Sequence, residues 1–101
     1  MANVFTNAKG VSSIAGVAIY TVPNNTTGVI IGLTLSNTTN QGVNVTATLE
    51  STSIITNVPI PAGASLSVLD GKIIATAGEV ITVSSTTESS VDVIISLLEQ
   101  S

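Results

Sequence analysis

From Val17 onward, apolar and polar residues alternate with a period of two between clusters of Gly, Pro, Asn, Ser and Thr. Such alternation predicts half-buried strands, because successive strand side chains point to opposite faces. Val43-Asn44-Val45-Thr46-Ala47-Thr48-Leu49-Glu50 is the cleanest case, with Val43, Val45, Ala47 and Leu49 inward. In Val29 to Ser36 the same rule places Val29, Ile31, Leu33 and Leu35 on one face and Ile30, Gly32, Thr34 and Ser36 on the other. The polar corner Asn37 to Gly42 between these two segments predicts a hairpin with a six-residue loop.

Further strands are expected at Val17–Val22, Ser53–Ile60, Val80–Ser84 and Val91–Glu99. The stretch Pro59 to Val83 carries a breaker at each corner and reads as strand, turn, strand, turn, strand. Pro61 interrupts one strand because it cannot donate a ladder hydrogen bond. Asp70-Gly71 marks a tight hairpin between Leu66/Val68 and Lys72-Ile73-Ile74-Ala75. Before Val17, Asn3-Val4-Phe5-Thr6 reads as an edge strand or arm, with a poorly ordered terminus as the alternative, and Lys9 to Ser13 reads as a loop. Residues 1–16 therefore form an arm or edge strand ahead of a single domain, 17–101. β-branched residues and Thr dominate every apolar run, which disfavours helix. The expected fold is all-β: an antiparallel β-sandwich or jelly-roll-like barrel of about 7–9 short strands.

Composition narrows the function. The 101 residues include no Cys, His or Arg, and their net charge is -4 with two lysines, Lys9 and Lys72. Disulfides, thiolate and imidazole chemistry and the usual zinc ligands are absent together. With so few cations the chain is not expected to bind nucleic acid, where phosphates must be neutralised. No apolar run approaches the ~20 residues of a membrane helix, and the first residues lack the basic and apolar regions of a secretory leader. No membrane partner is expected.

Only 8% of residues are charged, against about 25% in an average soluble protein. Solubility must come from Ser, Thr and Asn, and a chain with so few charges is expected to cover apolar surface with copies of itself. Candidate chemistry is thin. Glu50, Asp70, Glu79, Glu88, Asp92 and Glu99 fall at corners or on outward strand positions, so a glycosidase pair or a calcium site at Asp70 and Glu79 is less economical than solvated acids. A nucleophilic Ser would need Lys9 or Lys72 as its base, and neither lies in a motif. Asn24, Asn25, Asn37 and Asn44 open Asn-x-Thr triplets, read here as turn chemistry. No enzyme, cofactor or metal is expected.

Apolar residues on positions assigned outward carry more information. Ile30, Ile94, Leu98 and one of Ile73 and Ile74 would form an exposed patch, and Val4 and Phe5 extend it onto the N-terminal segment. These seven residues are the expected oligomer or capsid interface, the alternative being a local bulge or strands covered on both faces by the chain itself.

Three stretches carry a resemblance: Tyr20-Thr21-Val22-Pro23-Asn24-Asn25-Thr26-Thr27 with Ser36-Asn37-Thr38, the run from Pro59 to Val83, and Ser89-Ser90-Val91-Asp92-Val93-Ile94-Ile95-Ser96. Over roughly residues 18–99 the chain resembles small β-sandwich structural proteins of tailed-bacteriophage virions. The resemblance implies a virion structural role with no catalytic residue and leaves the place on the particle open; the role expected first is that of a capsid decoration (cement) protein, made in the host cytoplasm. It would bind the major capsid protein or another virion protein as a homo-oligomer, a trimer by family habit. A tail, neck, baseplate or head-fibre component is the alternative, and a host-surface glycan-binding module the second. The shortage of aromatic platforms, with only Phe5 and Tyr20 present, weighs against glycans.

Overall fold

The computed structural model describes residues 3–68 and 72–100. It contains β1 (Asn3–Val11), β2 (Val17–Thr21), β3 (Thr27–Asn37), β4 (Val43–Leu49), β5 (Thr52–Ile60), β6 (Ser65–Ser67), β7 (Ile73–Ala75), β8 (Val80–Ser85) and β9 (Val91–Gln100), and no helix among the described residues. One sheet runs β1-β9-β3-β6 with β7 also on β3, and the other runs β2-β8-β4-β5. Every strand pair is antiparallel. The pairs nest: β1 with β9, β2 with β8, β3 with β6 and β7, β4 with β5. A long hairpin whose successive pairs fall alternately into two facing sheets is a jelly roll.

The core is the seam between the sheets. Ile30, Leu33, Leu35, Val91, Val93, Ile95 and Leu97 enter it from the first sheet, and Val43, Val45, Ala47, Ile60, Ile81 and Val83 from the second. The alternation read for β4 is therefore the real one, and β8 and β9 alternate in the same way.

Three local expectations are corrected. β3 and β4 do not pair; the chain crosses from one sheet to the other at residues 38–42. β6 and β7 do not form a hairpin, because both run antiparallel to β3, at Leu35↔Leu66 and Ile30↔Ile73, as two pieces of one edge strand. The Asp70-Gly71 turn itself lies outside the described residues. The loop expected from Lys9 is strand as far as Val11, since β1 pairs with β9 along its whole length.

A fourth correction bears on the interface. The β3–β9 register shifts between Ile30 and Gly32. This bulge at Ile31 adds a residue and changes the phase of the alternation. Ile30 is consequently core, 1% exposed, while Ile31 is the residue left outside.

Polar side chains secure the crossings. Asn37 is buried, and its amide donates to the carbonyls of Gln41 (2.7 Å) and Ile60 (3.0 Å) while its Oδ1 accepts from the Thr39 N–H (2.9 Å). At the adjoining connections of the same end, the Ser12 and Ser85 hydroxyls meet at 2.7 Å, and the hydroxyls of Ser85 and Ser90 both donate to the Thr87 carbonyl at 2.6 Å. Asn37→Ala leaves buried backbone groups unpaired, which costs about 1–3 kcal/mol. Urea titration should show a lower midpoint at unchanged slope, whereas exposed Thr56→Ala stays within about 0.5 kcal/mol of wild type. An unshifted midpoint for Asn37→Ala would contradict its anchoring role.

Candidate contact surface

The odd residues of β9 from Val91 to Leu97 fill the core, so its even residues point away from the seam. Register then extends this outer face across the sheet. Phe5 stands opposite Leu98, Leu98 opposite Val29, and Val29 opposite Ile74. One apolar row thus crosses β1, β9, β3 and β7, with directly opposed side chains close enough to touch. Its ends are bare: Phe5 is 76% exposed and Ile74 56%.

The neighbouring rows are mixed, with small polar residues on β3 and Ile94 and Val11 as their apolar members. Asn7, Ser96 and Gly32 form the next, followed by Lys9, Ile94, Thr34 and Ser67, then Val11, Asp92, Ser36 and Ser65. Lys9 and Asp92 are the charges in these rows, diagonal to one another. A shallow depression of about 340 Å³ lies between β1 and β9 at this end, lined by Lys9, Gly10, Val11, Asp92, Val93 and Ile94.

The structure sorts the seven expected interface residues. Phe5, Ile74 and Leu98 share the apolar row, and Ile94 lies on the same face two register steps from Leu98. Val4 is exposed but alternates to the other side of β1, opposite Glu99. Ile30 and Ile73 oppose each other on the seam side, Ile30 buried and Ile73 packed against the core. Sequence reasoning missed Val29, placed inward by uniform alternation, and Ile31, the bulge residue. No local signal marks that bulge except Gly32 beside it.

Three of the acids are occupied with the backbone. Glu88 accepts the Ile14 N–H at 2.7 Å, Glu50 the Val80 N–H at 2.8 Å, and Glu79 the Thr76 N–H at 2.7 Å. Glu99 accepts the Tyr20 hydroxyl at 2.6 Å and so ties β2 to β9 across the seam. Asp70 lies outside the described residues. Among the described residues, no group of three or more acids gathers as a metal site. Asn37 serves a turn as expected, whereas Asn44 lies within β4.

Burial, the bond to Glu99 and that carboxylate's charge all push the Tyr20 phenol well above its ordinary range. The folded state therefore keeps this proton after the unfolded state has released it. The resulting stability is complete below about pH 10, the unfolded value, and is lost as pH rises toward the folded one. With one tyrosine and no tryptophan, ultraviolet titration of the phenolate reports this group alone. The native protein should titrate well above the urea-unfolded chain, and coincident curves would contradict the Tyr20–Glu99 bond. The chain matches no family model, no curated protein and no solved structure.

Proposed function

We propose that the protein is a non-enzymatic structural protein of a virion, a decoration (cement) protein that binds the assembled head of a tailed phage as a homo-oligomer. The observation that carries this reading is the apolar row Phe5–Leu98–Val29–Ile74 on an outer sheet face whose other rows are mostly Ser, Thr, Asn and Gly, with Ile94 and Val11 beside the Lys9 and Asp92 charges. Such a row is costly to leave in water and has the character of a contact surface. Glu50, Glu79 and Glu88, meanwhile, hold turns and strand ends. Jelly rolls recur in capsid proteins, which agrees with the reading without deciding it, since one fold hosts many functions.

Mass action supplies the mechanism. A protein that binds only the assembled shell shifts the equilibrium toward that shell. Many weak copies on one lattice add avidity, so each contact needs little affinity. A face with few charges also holds its contact across a wide range of salt, because little of the attraction is screened.

Quantitative mass spectrometry of purified particles tests the proposal. The chain should be present in a copy number that scales with the capsomers, and particles stripped of it should lose heat resistance that the purified chain restores. A copy number matching a single tail ring would move it to the tail, and absence from particles would end the virion reading.

A further inference from the structure

Each sheet has two edges, and three of the four are blunted. β6 and β7 are three residues each. β2 has five residues, a register shift between Ala18 and Tyr20, and a neighbour in β1, where a Cβ on Gly10 would sit 2.6 Å from Ile19 Cδ1. β5 is long but carries Pro59, two register shifts against β4, and a left-handed Asn57 with φ 51. Short strands, bulges and prolines are the devices that stop sheets from joining edge to edge.

β1 has none of them. It runs nine residues without proline and pairs with β9 with no register shift. Its first half, Asn3 to Asn7, is exposed throughout and uncharged. Only beyond this half does β1 carry a charge, at Lys9, and press Gly10 against β2.

We propose that the Asn3–Asn7 half of β1 pairs antiparallel with the same segment of a second copy across a two-fold axis, joining the two sheets edge to edge. Three features favour a copy of this chain over a foreign strand. The apolar row ends on β1 at Phe5, whose flank is bare because no strand among the described residues stands beyond it. A second β1 sets Phe5 of the other copy opposite or diagonal to it, so the row continues through both molecules. An axis at Phe5 or Thr6 also keeps the two Lys9 side chains off one another, and the paired segment brings no acid from a chain of net charge -4. Such a contact is self-complementary and closes at two copies, in place of the three-fold assembly the family resemblance implies. It stands independently of the virion reading.

The full chain tests this, and its lack of cysteine makes introduced thiols unambiguous. Sedimentation at micromolar concentration should give twice the chain mass of 10.1 kDa. Phe5→Lys should shift it to monomer with an unchanged circular dichroism spectrum. Directly opposed residues lie within disulfide range, about 4.5–5.5 Å between Cα atoms. Under oxidation, Phe5→Cys or Thr6→Cys should therefore cross-link according to where the axis falls, while Ile74→Cys and Thr56→Cys should not. A folded monomeric wild type overturns the proposal. So does a dimer that survives Phe5→Lys and cross-links through Ile74→Cys, in which case copies meet through the sheet face and self-association on a shell still stands. Cross-linking through Thr56→Cys, or open-ended fibres, overturns it as well.

Discussion

β9 pairs with β1 on one side and β3 on the other, and its side chains alternate without a break from Val91 to Leu97. Because a strand's side chains have a period of two, that alternation decides which side of the sheet is core and which is surface. The seam against β4 and β8 depends on it, and so does the outer row through Leu98. A one-residue slip of β9 would send Val93, Ile95 and Leu97 into water and Asp92 and Ser96 into the core. The aliphatic seam therefore holds the register, and the register builds the outer face.

The strands were legible in the chain because alternation is a local signal. Val43 to Leu49, Val80 to Ser84 and Val91 to Glu99 all lie where their patterns put them. Pairing was not legible, because in a nested topology strands near in sequence cross to opposite sheets. The polar corner between β3 and β4 looks like a hairpin loop and is a crossing, anchored by Asn37. Leu66 and Ile73 look like two arms of a hairpin and lie along one edge of β3.

The contact surface was half legible for the same reason. Ile94 and Leu98 were found by counting along a strand without irregularity, and Phe5 and Ile74 by their apolar character. Ile30 was misassigned because one inserted residue at Ile31 reverses every parity before it, and two-residue periodicity carries no trace of the insertion. Val29 entered the row only when register joined four strands. What is chemically absent also shapes the molecule. With few charges to solvate its edges, the chain protects them by brevity, bulges and proline, and β1 is the edge left without such protection.

The central claim is that the outer face of the β1-β9-β3 sheet, rather than that of the β2-β8-β4-β5 sheet, meets other protein. Hydroxyl-radical footprinting of the free chain and of the chain bound to particles tests it most directly. The account predicts that oxidation of Phe5 and Ile74, the bare ends of the row, falls sharply on binding while that of Pro59, exposed on β5 opposite outward Asn44, does not change. Unchanged oxidation at Phe5 and Ile74 with protection at Pro59 would contradict it.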